Sequence, residues 1–246
     1  FFLQPQVYTL ACGGLCRIEE RRREEVPVCP GSGAFTHNPV DSCLQQNMTH
    51  PLTVVDLIRH GEPEGGVRIR GWQDDPLSDR GWRQMWQAVD GDNPWSLVVS
   101  SPLSRCAGFA GQLASRNGIP LQHEERLKEI GFGEWEGLTP DSLCASDPES
   151  ISRFWNDPTA NPPPGGEPFQ QFQRRVTQAW RDIEESNRGG HLLLVAHGGV
   201  IRMLIAHVLG MPATNLFRME VPYAARSRIC VEQDGVARLS FHCANI

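Results

Sequence analysis

Short, mostly apolar segments alternate with longer amphipathic segments from residue 53 onward, and this alternation restricts the folds open to the chain. Three apolar segments have the length and composition of buried strands: 53–58, 95–100 and 191–196. Apolar spacing and capping residues predict helices over Ser78 to about Asp90, about Ser104 to Arg116, Phe169 to Asn187 and Gly198 to Leu209. Strands that alternate with helices form a mainly parallel sheet covered on both faces, so we expect a three-layer α/β/α sandwich.

The last part of the chain carries a different pattern. Residues 228–232 and 236–241 have strand-like composition and are joined through Asp234-Gly235, which predicts a closing hairpin. A chain of 246 residues suits one large α/β domain, or one domain with an appendage. That length buries a core without help from disulfides or a structural metal.

Residues 1–47 differ from the rest of the chain. They combine a charged run from Arg17 to Glu25 with a stretch rich in Pro, Gly, Ser and Asn, and they show no sustained periodicity. We therefore expect a poorly structured extension over 1–47 and one domain over 48–246. The first Met is Met48. One hypothesis is that the natural chain starts there and that 1–47 is not native, and the alternative is a partner-binding arm.

The cysteines of the chain bear on metal binding and on the compartment. Four of them crowd the first segment together with His37: Cys12, Cys16, Cys29 and Cys43. Their spacing matches no compact zinc-ligand pattern, so unpaired thiols are favoured over a zinc site. Cys106 and Cys230 fall in a predicted helix and a predicted strand, where reduced thiols behave as small apolar residues. These features favour a reducing, cytoplasmic compartment.

Charge and hydropathy exclude some partners. The net charge of −6 argues against general affinity for nucleic acid or anionic lipid. No stretch approaches the roughly twenty apolar residues of a membrane span. The first residues lack the basic region of a signal peptide, and Gln4, Pro5 and Gln6 interrupt their apolar run. We therefore expect no nucleic-acid and no membrane partner, and the sequence leaves the oligomeric state open.

Three strongly polar clusters each follow a predicted strand. They are Arg59-His60-Gly61-Glu62, Ser100 to Arg105, and His197-Gly198-Gly199. Because the carboxyl ends of parallel strands meet at one edge of a sheet, two arginines and two histidines should converge there.

This combination of side chains suits a phosphate group. Guanidinium groups match phosphate oxygens in bidentate geometry, and a neutral imidazole can attack phosphorus. A helix that begins at Gly198 would add backbone N–H donors. No carboxylate run or Cys/His spacing near these clusters indicates a metal, so the cationic side chains would neutralise the charge. We expect a small-molecule phosphomonoester as the ligand and no metal or other cofactor.

These residues resemble the histidine phosphatase superfamily, whose signature is Arg-His-Gly after the first strand. The superfamily's second histidine matches His197, and its second arginine, in Ser-Ser-x-Leu-x-Arg, matches Arg105. Its general acid lies in a Glu-x-x-x-Gly-x-x-Glu-Gly segment, and by that match the acid is Glu129. The resemblance covers nearly everything after residue 50 and implies a phosphoglycerate mutase-like fold.

The resemblance also implies a mechanism. His60 would attack phosphorus while Arg59, Arg105 and His197 hold the phosphoryl oxygens, and Glu129 would move the proton. Two alternatives stay open at this level. Arg105 could instead cover a helix flank with its stem, and the acid could be Glu134 or Glu136, which lie in the same segment.

Within the superfamily the sequence is most similar to α-ribazole phosphatases of cobalamin synthesis. The similar segments are Arg70 to Ser78, Gly133 to Gly137, and Phe154-Trp155 leading to Pro163 to Glu167. This similarity implies α-ribazole 5′-phosphate as the substrate and makes Arg70 and Glu167 candidate substrate contacts. The mutase branch usually carries Ser-x-Trp-Asn after Arg-His-Gly-Glu, where this chain has Pro63 to Gly66. That difference argues against a mutase and removes an Asn that contacts phosphate in those relatives.

Two other functions remain as alternatives. One is a broad-specificity phosphosugar or phosphoglycerate phosphatase that uses the same chemistry. The other is a phospho-ligand-binding protein without turnover, which the complete set of Arg59, His60, Arg105, Glu129 and His197 argues against.

Overall fold

The computed structural model describes residues 52–91 and 93–244. Its strands are β1 (Thr53–Arg59), β2 (Leu97–Ser100), β3 (Leu121–His123), β4 (His191–Ala196), β5 (Arg226–Val231) and β6 (Ala237–Ala244). Its α-helices are α1 (Asp79–Ala88), α2 (Ser104–Asn117), α3 (Pro140–Ser146), α4 (Pro148–Asn156), α5 (Phe169–Ser186) and α6 (Gly198–Val208). Short 3-10 helices cover Glu125–Leu127, Gly133–Trp135 and Ala213–Arg218.

The strands form one six-stranded sheet in the order β3-β2-β4-β1-β5-β6. The three pairings on the β3 side, up to β4 with β1, are parallel, and β5 and β6 add two antiparallel pairings. β1 and β4 lie in the middle and are buried almost throughout. The mainly parallel sheet predicted from the sequence is confirmed, and the antiparallel edge is the predicted closing hairpin.

Two hydrophobic cores lie on opposite faces of the sheet, because side chains alternate between the faces along each strand. Leu192 and Leu194 of β4 belong to one core, and Leu193 and Val195 belong to the other. α5 and α6 cover the first face, and α1 and α2 cover the second. This arrangement is the three-layer α/β/α sandwich expected from the sequence.

Several local signals act as predicted. The hydroxyl of Ser78 accepts a hydrogen bond from the backbone N–H of Gly81 at 3.0 Å and so caps α1. Gly118 ends α2 with a φ of 63°, a left-handed conformation that suits glycine. Cys106 and Cys230 are fully buried as free thiols, as expected of reduced cysteines in the core.

Other elements have no counterpart among the sequence predictions. β3 has only three residues, two of them exposed, so it carries no apolar pattern. α3 and α4 are short helices that meet at Asp147, whose side chain caps α4. The strand expected over 95–100 is shorter, since β2 begins at Leu97.

Some predictions concern residues that the structure does not describe. The extension over 1–47, its boundary and the possible zinc ligands Cys12, Cys16, Cys29, His37 and Cys43 lie outside the described residues. Within the described ranges, no helix is both long and apolar enough to cross a membrane.

Candidate active site

An open pocket with a cavity volume of about 150 Å³ lies beyond the carboxyl ends of the central strands. Backbone hydrogen bonds join the ends of β1 and β2 to the end of β4. The N–H of His60 donates to the carbonyl of Ala196 at 3.0 Å, and that of Ser101 donates to Val195 at 3.0 Å. The polar clusters that follow β1, β2 and β4 therefore meet at one edge of the sheet, as the sequence predicted.

His60 lies in the pocket wall and is only 5% exposed. Its Nδ1 lies 2.7 Å from the carbonyl oxygen of Gly61, which can only accept, so Nδ1 carries the proton. The other nitrogen, Nε2, then has a free lone pair. Burial lowers the pKa of His60 well below its usual 6.5, and the charges of Arg59 and Arg105 lower it further. His60 is therefore a neutral imidazole near pH 7, which is the nucleophilic form.

His197 lies beside His60, with ring centroids 5.2 Å apart in an edge-on arrangement. It is fully buried at the start of α6, and its Nε2 is 2.8 Å from the hydroxyl oxygen of Ser101. Burial lowers the pKa of His197 well below its usual value, and the charge of Arg105 adds to this effect. The two histidines that are distant in sequence are thus neighbours in the site.

Arg59 and Arg105 bring positive charge to this region without a matching carboxylate. Within the described ranges, no carboxylate lies within ion-pair distance of either guanidinium. Arg59 donates to the carbonyl of Val221 at 2.6 Å, and the Nε atoms of both arginines are buried without a partner in the described part. A buried guanidinium without an ion-pair partner is costly, so this region favours an anion that supplies the missing acceptors.

Arg105 occupies a different position from Arg59. It is fully buried and does not line the pocket, and its guanidinium donates to the carbonyls of Gly71 and Gln73 at 2.8 Å each. Its side chain therefore anchors the loop after Arg70 instead of covering a helix flank. The direct phosphate contact expected of Arg105 stays a prediction.

Glu129 follows β3 and lines the pocket. One carboxylate oxygen accepts from the backbone N–H of Gly199 at 2.9 Å, and the other accepts from its neighbour Ile130 at 3.0 Å. A Cβ at Gly199 would lie only 2.3 Å from Oε1 of Glu129, so the absence of a side chain there lets the carboxylate approach. No signal in the sequence distinguishes Gly199 from the other residues of its cluster.

The other two candidate acids are placed differently. Glu134 is exposed and does not line the pocket. Glu136 accepts hydrogen bonds from three backbone N–H groups, those of Trp72, Gln73 and Phe132, at 2.6 to 2.9 Å. Only Glu129 among the three faces the pocket, which favours it as the acid.

Arg70 and Glu167 were candidate substrate contacts. Arg70 lines the pocket, but its guanidinium binds Asp75 at 2.7 Å and the carbonyls of Gly66 and Glu64. Glu167 does not line the pocket, and its carboxylate pairs with Arg175 at 2.6 Å. The structure thus gives both side chains internal partners, and their substrate contacts stay predictions. Gly198 does lie in the pocket wall, at the start of α6.

The remaining wall is mainly apolar and aromatic and was not among the residues predicted from the sequence. Tyr223 stacks against the guanidinium of Arg59, with 4.3 Å from Cζ to the ring centroid. The other members come from separate segments: Ile69, Ile130, Phe132, Trp155, Phe169, Phe172, Leu216 and Phe217. Arg68 and Arg202 also line the pocket. No local pattern in the sequence connects these positions.

No group of three or more potential metal ligands occurs among the described residues. The described site consists of two neutral histidines, the buried guanidinium groups of Arg59 and Arg105, the first turn of α6, the carboxylate of Glu129 and three further arginines in the pocket wall, Arg68, Arg70 and Arg202. An arrangement of this kind can bind a phosphoryl group, accept it on a histidine and exchange a proton with the departing oxygen.

A sandwich fold with such a pocket at the strand ends suits an α/β enzyme of phosphoryl transfer. The family model for the histidine phosphatase superfamily (branch 1) matches residues 55–243. The chain belongs to this superfamily.

Similar proteins within the superfamily differ in their substrates. The adenosylcobalamin/α-ribazole phosphatase of Escherichia coli strain K12 is 32% identical over 182 residues, which are 72% of this chain and 89% of that protein. The crystal structure of the α-ribazole phosphatase from Shigella flexneri is 31% identical with a TM-score of 0.69, covering 78% of this chain and 96% of that one. The structure of a mycobacterial glucosyl-3-phosphoglycerate phosphatase is 27% identical with a TM-score of 0.71, covering 79% of this chain and 100% of that one.

Proposed function

We propose that this enzyme hydrolyses a phosphomonoester through a phosphohistidine at His60 and that its substrate is α-ribazole 5′-phosphate. Nε2 of His60 attacks phosphorus, and the bond from phosphorus to the alcohol oxygen breaks. Glu129 gives its proton to that oxygen, and the neutral alcohol leaves. Glu129 then takes a proton from water as the water oxygen attacks the phosphohistidine, which releases phosphate and restores both residues.

Charge in the transition state is met by the cationic end of the pocket. The phosphoryl oxygens lie near Arg59, Arg105, His197 and the N–H groups at the start of α6. This role explains why buried guanidinium groups without carboxylate partners are tolerated there, since the substrate supplies the anion. In this proposal the cationic side chains neutralise the phosphoryl charge without a metal ion.

The observation that favours α-ribazole 5′-phosphate is the aromatic wall beside Glu129. α-Ribazole is a riboside of a planar benzimidazole, and Phe132, Trp155, Phe217 and Tyr223 offer apolar surface in the pocket that Glu129 also lines. Burial of a planar apolar group against aromatic side chains stabilises a complex by about 25 cal/mol for each Å² removed from water. The similarity to α-ribazole phosphatases supports the same substrate.

A second substrate class is favoured by a different observation. Arg68 and Arg202 line the pocket, and within the described ranges neither has a carboxylate within ion-pair distance. These groups would suit an alcohol that carries its own anion, such as a phosphoglycerate. The broad-specificity phosphosugar or phosphoglycerate phosphatase is therefore the alternative.

Three substrates separate these possibilities: α-ribazole 5′-phosphate, ribose 5-phosphate and 3-phosphoglycerate. Ribose 5-phosphate keeps the phosphate and the sugar but lacks the aromatic base, so it is the matched control. We expect kcat/KM to be at least about tenfold higher for α-ribazole 5′-phosphate than for ribose 5-phosphate, and Phe217→Ala to reduce this ratio.

Equal or reversed preference would move the assignment to the broader phosphatase. Binding of all three without turnover would indicate the phospho-ligand-binding protein. A role in cobalamin synthesis belongs to this proposal and depends on the same substrate. A cytoplasmic location also belongs to it and rests on the cysteine usage.

A further inference from the structure

Arg175 of α5 is the centre of a dense hydrogen-bond network beneath the pocket. Its Nε and Nη2 donate to the two carboxylate oxygens of Glu167 at 2.6 and 2.7 Å. Its Nη1 donates to the carbonyls of Arg126 and Lys128 at 2.7 and 2.6 Å, and its Nη2 donates to that of Glu129 at 2.8 Å. Every nitrogen of this guanidinium is therefore engaged, and most of its contacts fix the backbone that carries Glu129.

Two further contacts hold the same segment from other directions. The indole Nε1 of Trp72 donates to the carbonyl of Glu129 at 2.9 Å. The carboxylate of Glu167 also accepts from the backbone N–H of Gly131 at 3.3 Å. The peptide groups on both sides of Glu129 are thus tied to side chains that do not line the pocket.

The carboxylate of Glu129 depends on this support. Its hydrogen bonds within the described ranges come only from the backbone N–H groups of Ile130 and Gly199. No side chain of the described part fixes its rotamer by a hydrogen bond. Its distance from the leaving oxygen depends on where the backbone at Glu129 lies, and Arg175 holds that backbone through three carbonyl groups.

We propose that the Arg175–Glu167 ion pair and the Trp72 indole form a positioning unit that places Glu129 for proton transfer to the leaving oxygen. This inference rests on the proposed role of Glu129 as the acid. It gives Glu167 a function in the reaction that differs from the predicted substrate contact. A displacement of about 1 Å in a catalytic group can lower a rate about a hundredfold, so such a unit affects rate and not only stability.

The readout is the dependence of kcat/KM on the leaving group, since kcat/KM reports the steps up to departure of the alcohol. An alkyl phosphate needs a proton on its leaving oxygen, whereas a nitrophenolate leaves without one. Arg175→Met and Glu167→Gln should lower kcat/KM for ribose 5-phosphate at least about tenfold more than for p-nitrophenyl phosphate. Trp72→Phe removes one donor to the same carbonyl and should give a smaller loss in the same direction.

Two controls separate positioning from structural damage. Arg174→Met removes the same charge one residue earlier on α5, where the side chain is exposed, and should change neither substrate's kcat/KM more than about twofold. Val176→Ala opens a cavity in the core next to Arg175 and lowers the melting temperature. When its loss of melting temperature equals that of a positioning variant, Val176→Ala should lower kcat/KM by the same factor for both substrates.

Glu129→Gln is measured alongside and makes the outcomes distinguishable. If Glu129→Gln lacks the selective loss, the acid assignment itself fails. If Glu129→Gln shows the selective loss but the other three variants lower kcat/KM equally for both substrates, or not at all, the positioning unit is refuted and the acid assignment stands. Those three variants are Arg175→Met, Glu167→Gln and Trp72→Phe. Should Arg175→Met fail to fold, Trp72→Phe decides the question, because Trp72 is 52% exposed and can be replaced without opening the core.

Discussion

Gly199→Ala should disable Glu129 while leaving the fold intact. An added Cβ would lie 2.3 Å from Oε1 of Glu129, 3.1 Å from its Cδ and 3.4 Å from Oε2. Ordinary carbon–oxygen contact begins near 3.4 Å, so the carboxylate must retreat by about 1 Å. The moving atoms are the end of a flexible side chain, and the φ of Gly199 is not left-handed, so folding tolerates the change. Alanine also has the higher helix propensity, by up to about 1 kcal/mol.

The expected effect on catalysis is large because a misplacement of about 1 Å costs about a hundredfold in rate. We expect kcat/KM for ribose 5-phosphate to fall by about that factor and kcat/KM for p-nitrophenyl phosphate to fall much less. Gly111→Ala in α2 is the matched control, because a Cβ there meets nothing within 4 Å and activity should not change. The reasoning is refuted if Gly199→Ala folds normally and keeps its activity on the alkyl phosphate within about threefold.

Three further predictions concern pH, the core and metals. Burial lowers the pKa values of His60 and His197, so these residues take up protons in the unfolded chain before they do so in the folded protein, and stability should fall from about pH 7 toward pH 5. In thermal melts, the melting temperature of His197→Gln should depend less steeply on pH than that of the wild type, and an unchanged slope would contradict the buried neutral state. Asp56 is fully buried between β4 and β5 and pairs with Arg228 at 2.7 Å and with His191 at 3.0 Å. Asp56→Asn should therefore lower the free energy of unfolding, measured by urea titration, by about 3 kcal/mol, and a loss below about 1 kcal/mol would contradict this role of the charge. Activity should persist in EDTA because cationic side chains balance the phosphoryl charge, and a loss restored by a divalent cation would overturn the mechanism.

The fold and the histidines could be predicted because their signals are local. β1 and β4 are buried on both faces, so each is a mostly apolar segment, and His60 and His197 follow them directly. Parallel strand ends meet at one edge, so the convergence of these residues follows from topology alone. Gly61 follows His60 and packs closely against Gly81, so a Cβ added to Gly61 would lie 2.3 Å from the carbonyl oxygen of Gly81.

The surroundings of Glu129 could not be predicted in the same way. β3 leads to Glu129, but its three residues are mostly exposed and carry no apolar pattern. The pairing of Glu167 with Arg175 joins a turn to a helix, and neither side chain has a sequence signal that names its partner. The aromatic wall collects residues from segments as distant as Phe132 and Tyr223, which only the tertiary fold brings together. Contacts of this kind depend on packing and not on periodicity.

The central claim is that His60 carries the phosphoryl group, and trapping of the phosphoenzyme tests it most directly. The enzyme would be mixed with a phosphomonoester labelled with radioactive phosphate, quenched within one turnover and digested for peptide mapping. We predict an acid-labile, base-stable phosphate on His60, its absence from His60→Ala, and its accumulation in Glu129→Gln with p-nitrophenyl phosphate, because the second step still needs a base for water. Label on another residue, or a His60→Ala variant that keeps a tenth or more of the wild-type rate, would contradict the account.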